Sequence, residues 1–222
     1  MKLLNNIKLL IAADGGAGSG KTTASKLIAK KYGLKLLTSG LLYRFVAYKL
    51  LKTKKIKSRN LFLKKITKKI PSNDLKNRNL FDTEVTKYTS KIAKIKRIRN
   101  LLKSYQINFA KKNRPCIIEG RDIGTVIIPK ADIKLFFKCS LNIKAKRRLK
   151  EYGKTNKKIS FNEVKKAIKL RDLNDSKRKI SPLKPAQDAV IVDTSKVNKK
   201  QMLTKISKII EKKLKEIYGR NL

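Results

Sequence analysis

Short apolar runs alternate with longer stretches of helical spacing along this chain. The apolar runs predict five β-strands, at residues 7–13, 34–37, 116–120, 133–138 and 189–192. The longer stretches predict helices at residues 21–31, 41–51, 98–111, 142–152, 161–178 and 199–217. Brief apolar strands separated by helices are typical of a parallel sheet with helices on both faces. The pattern therefore predicts an α/β fold with about five strands.

The pattern changes between residues 52 and 98. Lysines become more frequent there, apolar residues become rarer, and the sequence Pro71-Ser72-Asn73-Asp74 interrupts any regular element. We interpret residues 52–98 as a lysine-rich insertion of short helices within a single domain that spans residues 1–222. The length of 222 residues supports this interpretation, since it corresponds to about one and a half domains of the usual size.

The composition excludes several classes of protein. Hydrophobic residues make up 41% and charged residues 33% of the chain, which argues for a packed core and against general disorder. No apolar run approaches the ~18 residues of a membrane span, so we expect no membrane partner. Cys116 and Cys139 are the only cysteines, and histidine is absent. This excludes a disulfide framework, the usual zinc sites and a histidine base, and we expect a cytoplasmic protein.

The chain carries a large positive charge, because 59 Lys and Arg against 15 Asp and Glu give a formal net charge of +44. Such an excess is typical of nucleic-acid-binding proteins, but a lysine-rich compositional bias also produces it. Here 47 of the 59 cations are lysines, spread along the whole chain. Aromatic residues are few, and no RNA-recognition module is found. We favour the compositional interpretation and expect no specific nucleic-acid partner.

The strongest local motif follows the first predicted strand and precedes the first predicted helix. It is the run Gly15-Gly16-Ala17-Gly18-Ser19-Gly20-Lys21-Thr22-Thr23, which fits the phosphate-loop pattern GxxxxGK[ST]. Glycine allows backbone angles at which successive N–H groups converge on phosphate oxygens, and the helix N-terminus adds partial positive charge. The motif predicts that these nine residues bind ATP and that the Lys21 charge acts on the outer phosphates.

Two residues are candidates for binding the Mg²⁺ that accompanies ATP. The Thr22 hydroxyl occupies the motif position that ligates the metal ion. Glu119 ends the third apolar run; it could order the water molecules around Mg²⁺, or it could equally be a simple strand-end carboxylate. The expected cofactor is Mg²⁺ together with ATP.

Arginine is rare in this lysine-rich chain and is concentrated in particular segments. A guanidinium group is preferred over an ammonium group where two parallel hydrogen bonds to one phosphate are needed. Several arginines follow predicted strands, where α/β sheets bind ligands. Each alone could be a surface residue, but together they predict a binding region for several phosphates. They are Arg44, Arg99, Arg121, Arg147, Arg148, Arg171 and Arg178.

Three longer segments accompany the phosphate loop: SGLLYR from Ser39, EGRDIGT from Glu119, and RxxxDxxRxxSPL from Arg171. In this order, over residues 7–195, they resemble the bacterial cytidylate kinase family of nucleoside monophosphate kinases. The resemblance implies a phosphate-loop kinase fold and transfer of the γ-phosphoryl group of ATP to CMP or dCMP, giving ADP and CDP or dCDP. A phosphate monoester is mostly dianionic at neutral pH, its second pKa being about 6, so the absence of histidine is no objection.

The resemblance implies a set of CMP-binding residues. Those expected to bind the acceptor phosphate are Arg44, Arg121 and Arg178. Those expected to contact the ribose are Arg171 and Asp175. Those at the positions that read the cytosine edge are Ser90, Arg99 and Asp122. Ser39 and Tyr43 of the SGLLYR segment complete the set.

The resemblance also implies a lid and a catalytic set. The lid corresponds approximately to residues 147–160, and Arg147 and Arg148 fall where it meets the transferred phosphoryl group. The insertion at residues 52–98 matches the part of the family that covers the monophosphate. The expected catalytic residues are Lys21, Arg121, Arg147, Arg148 and Arg178.

Two positions depart from the family pattern. The residue before the SGLLYR segment is usually Asp and is Thr38 here, so the hydrogen bond which that carboxylate makes is replaced or lost. The residue after the first glycine of the phosphate loop is usually Pro and is Gly16 here. Glycine makes the loop less rigid but still allows close approach of the backbone to a ligand.

Two alternative functions stay open at this stage. The first is a different small-molecule kinase with a phosphate loop, acting on UMP, dTMP or shikimate. The second is a basic RNA-associated ATPase, which predicts RNA-stimulated hydrolysis and a steep salt dependence of binding. We favour the CMP and dCMP kinase because the segments above supply a monophosphate-binding set, and we expect a monomer with small-molecule nucleotides as its partners.

Overall fold

The computed structural model describes residues 7–153 and 159–219. The chain divides into two units, the first made of residues 1–36 and 113–222 and the second of residues 37–112. Five strands form one parallel sheet in the order β2-β3-β1-β4-β5. Their bounds are β1 Leu10–Gly15, β2 Lys35–Thr38, β3 Cys116–Gly120, β4 Ile133–Lys138 and β5 Val190–Asp193. The predicted α/β fold with a parallel sheet of about five strands is confirmed.

Eight α-helices alternate with these strands in the described residues. They are α1 Lys21–Tyr32, α2 Ser39–Lys52, α3 Arg59–Lys68, α4 Thr83–Ile92, α5 Lys96–Lys112, α6 Leu141–Gly153, α7 Phe161–Ser176 and α8 Lys199–Tyr218. Shorter turns complete the structure: two 3₁₀ turns at Asp74–Lys76 and Arg78–Phe81, and one π-helical turn at Ile123–Ile127. No helix of this described part is both long and apolar enough to cross a membrane.

Strand β1 is the central strand of the sheet and is buried along its whole length. It begins at Leu10, later than the predicted run of residues 7–13. It also ends later, because Asp14 and Gly15 still pair with Phe136 and Phe137 of β4. On the other side Asp14 lies opposite Gly120 of β3. The carboxyl ends of β1 and β3 are therefore neighbours, so the residues that follow each strand are placed close together.

The core of the first unit lies where α1 and α8 pack against the sheet. Both helices contribute one apolar face, because their buried residues recur at helical spacing. The fully or almost fully buried members from these helices are Ala24, Ile28, Tyr32, Met202, Ile206, Ile210 and Leu214. This packing fixes the N-terminus of α1, which follows the glycine-rich loop directly.

The second unit consists of α2 to α5 and the two 3₁₀ turns. It has buried apolar residues of its own, including Leu42, Val46, Leu80, Ile92, Ile98 and Leu102. Helices α3 and α4 and both turns lie within residues 52–98, where the sequence predicts an insertion. The role of that segment in covering a monophosphate stays a prediction.

Candidate active site

The glycine-rich motif forms the connection between β1 and α1. Gly18 and Gly20 have φ angles of +69° and +82°, a left-handed backbone conformation that residues with a Cβ rarely adopt. Gly20 directly precedes Lys21, the first residue of α1, so the loop ends at a helix N-terminus. Strand, loop and helix thus follow one another as the motif requires for phosphate binding.

Lys21 is buried within this loop, and its Nζ donates a hydrogen bond of 3.3 Å to the carbonyl oxygen of Gly16. Burial and, to a smaller extent, repulsion from Arg121 and Arg171 together lower the pKa of Lys21 to about 7, against the attraction of Glu119 and Asp14. The side chain is therefore close to half-protonated at neutral pH. A bound polyphosphate would supply the negative charge that favours its protonated form.

This pKa predicts that nucleotide affinity falls as pH rises above 7. If Lys21 titrates near pH 7 when free and stays protonated when ADP is bound, ADP affinity should fall about fivefold from pH 7 to pH 8. Calorimetry in two buffers of different ionisation enthalpy should show proton uptake on binding at pH 8. Lys21→Arg is the control because arginine does not titrate in this range. An equal pH dependence in both proteins would contradict the assignment.

Thr22 and Glu119 lie together beside the loop. The Thr22 hydroxyl donates a 2.8 Å hydrogen bond to Oε2 of Glu119, the penultimate residue of β3. Glu119 is 1% exposed, and its other oxygen, Oε1, is buried with no hydrogen-bond partner among the described residues. A buried carboxylate oxygen without a donor usually indicates an ion or water that completes its coordination. The pair therefore fits a hydrated divalent cation.

Arg121, Asp122, Asp175 and Arg178 form one charged cluster after β3 and around the end of α7. Nε of Arg121 donates a 2.9 Å hydrogen bond to Oδ2 of Asp175. Arg178 lies 3.7 Å from Oδ1 of Asp175 through Nη1 and 3.7 Å from Oδ1 of Asp122 through Nη2. Helix α7 ends at Ser176, two residues before the predicted bound, and the Arg178 Nε also donates to the Ser181 carbonyl. The structure thus brings together four of the predicted residues.

Asp14 is a site residue that our reading of the sequence missed. Its two carboxylate oxygens accept hydrogen bonds of 2.8 and 2.7 Å from the backbone N–H groups of Ile123 and Gly124. These two residues directly follow Asp122 and begin the π-helical turn. Burial raises the pKa of Asp14 to about 6, although both hydrogen bonds favour its ionised form. Asp14 therefore fixes the backbone that carries Arg121 and Asp122; the available signal was an aspartate at the end of an otherwise apolar strand.

The second unit holds the other predicted CMP-binding residues except Arg171, which belongs to α7. Arg44, on α2, donates hydrogen bonds of 2.7 and 2.8 Å to the Leu80 carbonyl and the Thr86 hydroxyl. Arg99, on α5, is 5% exposed; its guanidinium carbon lies 5.8 Å from the ring centroid of Tyr43. Ser39 is buried at the start of α2, whereas Ser90 is exposed on α4. Within this unit the Arg99 guanidinium therefore lies beside the Tyr43 ring, whereas Ser90 is on an exposed position of another helix.

Arg147 and Arg148 are adjacent in sequence, but their side chains bind different partners. Arg147 donates to the Thr194 hydroxyl at 3.0 Å and to the Thr194 carbonyl at 2.7 Å. Arg148 makes an exposed ion pair of 2.8 Å with Glu151 on its own helix. Of the predicted lid at residues 147–160, residues 154–158 lie outside the described part of the chain. The catalytic role of both arginines stays a prediction.

The sequence matches the cytidylate kinase family over residues 11–212. Among similar proteins, cytidylate kinase of Thermosipho melanesiensis is 38% identical and aligns over 92% of this chain and 98% of its own length. Cytidylate kinase of Rickettsia akari is 37% identical over 92% of each chain, and that of Clostridium botulinum is 35% identical over 93% of this chain and 99% of its own.

Solved structures show a related fold. An uncharacterised protein from Eubacterium ventriosum superposes with a TM-score of 0.56 at 16% sequence identity, over 91% of this chain and 98% of the other. At that identity the likeness concerns the fold alone, which agrees with the five-stranded parallel sheet described above.

Proposed function

The chain belongs to the cytidylate kinase family and catalyses ATP-dependent phosphorylation of CMP and dCMP, and we propose from this premise how its residues carry out the transfer. The observation that carries the proposal is the position of the charged cluster that contains Arg121 and Arg178. Arg121 and Asp122 follow β3, the strand paired with β1, and the Arg121 charge acts on Lys21 of the phosphate loop. Cationic groups therefore follow the carboxyl ends of two neighbouring strands: Lys21 after β1, proposed for the donor phosphates, and Arg121 after β3, proposed for the acceptor phosphate.

The phosphate loop is proposed to bind ATP through Lys21 and through its backbone N–H groups other than that of Ala17, which donates to Asp172. The proposed ATP-binding loop consists of Gly15, Gly16, Ala17, Gly18, Ser19, Gly20, Lys21, Thr22 and Thr23. Negative charge shifts from the γ-phosphoryl group toward the leaving ADP during transfer, and Lys21 stabilises that charge. The N-terminus of α1 contributes in the same direction.

Arg121 and Arg178 of the first unit are proposed to bind the acceptor phosphate, as is Arg44 of the second unit. Asp175 supports the first two because it places one oxygen on Arg121 and the other near Arg178. The two guanidinium groups are then oriented before substrate binds, which lowers the entropy cost of bringing two polyanions together in line. No general base is required, since the acceptor is already ionised.

Arg121→Lys and Arg178→Lys are expected to lower kcat/KM for CMP at least ~30-fold, about 2 kcal/mol. A lysine keeps the charge but cannot form two parallel hydrogen bonds to one phosphate while another nitrogen of the same group contacts Asp175. Arg114→Lys is the matched control, because Arg114 is exposed on the same unit and makes only a 3.4 Å contact to the Lys8 carbonyl in the described structure. Steady-state kinetics near those of the wild type in both variants would show that these arginines do not bind the acceptor phosphate.

The remaining CMP contacts are proposed from the family to which the chain belongs. Arg171 and Asp175 are assigned to the ribose, and Ser90, Arg99 and Asp122 to the cytosine edge. The other proposed CMP-binding residues are Ser39 and Tyr43 of α2. Tyr43 supports this assignment because its ring packs beside the Arg99 guanidinium, which restricts where that side chain can point.

Mg²⁺ is proposed as the cofactor that accompanies ATP. Thr22 would ligate it and Glu119 would hold its water molecules, and the buried Oε1 of Glu119 supports this arrangement. When bound, the ion neutralises phosphate charge. The Thr22 hydroxyl donates to Glu119 at 2.8 Å, so the two side chains proposed to hold the ion and its water molecules are adjacent.

A single acceptor screen tests the proposed substrate assignment. The purified protein is supplied with ATP and Mg²⁺, and ADP formation is coupled to an optical readout with CMP, dCMP, UMP, dTMP and shikimate as acceptors. CMP and dCMP are expected to give the highest kcat/KM. A higher value for any other acceptor would overturn the assignment of the base-reading residues, and RNA-stimulated hydrolysis without an acceptor would overturn the proposed mechanism.

We further propose that the protein acts as a monomer in the cytoplasm. All the groups assigned above belong to one chain, so the proposed chemistry requires no second copy. Cys116 and Cys139 are free thiols, which agrees with a reducing compartment. Sedimentation at working concentration tests the oligomeric state.

A further inference from the structure

Asp172, on α7, makes two contacts that none of the roles above uses. Its Oδ1 accepts a 2.8 Å hydrogen bond from the backbone N–H of Ala17, in the middle of the phosphate loop. Its Oδ2 accepts a 2.7 Å hydrogen bond from Nζ of Lys144, on α6. The side chain of Lys144 is 14% exposed and that of Asp172 22% exposed, so this ion pair is largely shielded from solvent. One carboxylate therefore connects the loop to α6 and α7.

The carboxylate lies directly against the loop backbone. A Cβ placed on Gly16 would be 2.7 Å from Oδ2 of Asp172, closer than such atoms approach in real proteins. A Cβ placed on Gly18 would lie 3.3 Å from the Cβ of Lys144. Gly16, unlike Gly18, does not have a positive φ. A side chain at position 16 would therefore require the Asp172 carboxylate to move, although the backbone conformation there accepts a Cβ.

The helices that carry the pair are packed on one another. Ala145 of α6 and Val164 and Ile168 of α7 form a small apolar cluster. The loop has a second attachment nearby, since the Thr194 hydroxyl donates to the Ser19 carbonyl at 2.8 Å and Arg147 of α6 binds that hydroxyl. The phosphate loop is thus tied at Ala17 and at Ser19 to the structure around α6 and α7.

We propose that Asp172 is a positioning residue that holds the phosphate loop in its nucleotide-binding arrangement, with Lys144 neutralising its charge. A loop that must present several N–H groups to one phosphate binds more tightly if it is ordered beforehand. A carboxylate is a strong acceptor for the Ala17 N–H, and this hydrogen bond restrains the middle of the loop. Without Lys144 the same carboxylate would repel the incoming phosphates, which explains why the two residues occur as a pair.

The first test measures ADP binding without any acceptor, so it stands or fails independently of the proposed CMP contacts. Asp172→Ala is expected to weaken ADP binding about tenfold, the effect of losing one charge-assisted hydrogen bond. Asp172→Asn keeps an acceptor for Ala17 and should stay within about threefold of the wild type. Asp188→Ala is the matched control, because Asp188 makes an exposed 2.8 Å ion pair with Lys134 away from the loop; its ADP affinity should be unchanged.

The second test breaks the same contact from the loop side. Gly16→Ala should displace the carboxylate and weaken ADP binding by a similar factor. In an Asp172→Ala background the same substitution should cost less than about threefold, because the group it displaces is gone. Additive losses would show that the two substitutions act separately and would overturn the proposal.

Two further readouts separate positioning from a general loss of structure. Hydrogen exchange of the nucleotide-free protein should be faster in the peptide containing Ala17 for Asp172→Ala, and unchanged for Asp188→Ala. The KM for CMP at saturating ATP should stay within about twofold of the wild type while the KM for ATP rises. ADP binding by Asp172→Ala that equals the wild type overturns the proposal, and tighter binding would identify Asp172 as a competitor of phosphate instead. If Asp172→Ala does not fold, Gly16→Ala together with Lys144→Met decides, since both should weaken ADP binding.

Discussion

Lys21→Ala is expected to lower kcat about a thousandfold, or about 4 kcal/mol of transition-state stabilisation. The side chain is buried in the phosphate loop, and its ammonium group donates a hydrogen bond to the Gly16 carbonyl. We propose that this group binds the phosphates of ATP. Its charge acts most strongly when negative charge moves toward the leaving ADP, so kcat should suffer more than the KM for CMP.

The fold should survive this substitution. Burial and two neighbouring arginines hold the pKa of Lys21 down to about 7, so its charge is disfavoured in the folded protein and its removal costs little stability. Lys26→Ala is the matched control, because Lys26 lies on the same helix and is exposed. Thermal unfolding should give similar Tm values for both variants, and a Lys21→Ala enzyme with more than about a tenth of the wild-type kcat would contradict the assignment.

The sequence predicted the elements whose signals are local. Strand β4 has the predicted bounds, and α1 differs from its prediction by one residue, because apolar runs and helical spacing are read over a few neighbouring positions. The phosphate loop was equally predictable from the sequence, because its motif is a continuous run of residues. The positive φ angles of Gly18 and Gly20 explain why the motif has glycine at these positions. Strand ends were less predictable: Asp14 is polar, yet it pairs within the sheet.

Contacts between distant residues could not be predicted from this sequence. Asp172 meets Ala17 across 155 positions, and Asp14 meets Ile123 across 109. The local sequence does not identify the partner of either aspartate, since that partner is a backbone N–H group that every residue except proline has. The same limit applies to Arg147 and Arg148, whose adjacency suggested a shared role although one binds Thr194 and the other binds Glu151.

The wild-type enzyme is expected to prefer CMP and dCMP over UMP by at least ~100-fold in kcat/KM. Cytosine presents an amino donor at position 4 where uracil presents a carbonyl acceptor, and the hydrogen-bonding character of N3 is reversed as well. Asp122 can only accept when ionised, so it suits the amino group and repels the carbonyl, whereas Arg99 can only donate. Both residues are 5% exposed, and a buried polar group left unmatched by the wrong base is costly.

Asp122→Asn should narrow that preference, because an amide can turn its donor toward the uracil carbonyl. Asp122 also lies 3.7 Å from Arg178, so the substitution will disturb phosphate binding and lower kcat/KM for every acceptor. The ratio of kcat/KM for CMP to kcat/KM for UMP is unaffected by this common loss and therefore reports the effect of the substitution on base recognition. Arg178→Lys is the matched control, since it should lower both values and leave their ratio within about threefold of the wild type. If wild-type enzyme phosphorylates UMP as well as CMP, or if Asp122→Asn keeps the full preference, Asp122 does not read the base and its role is to hold Arg178.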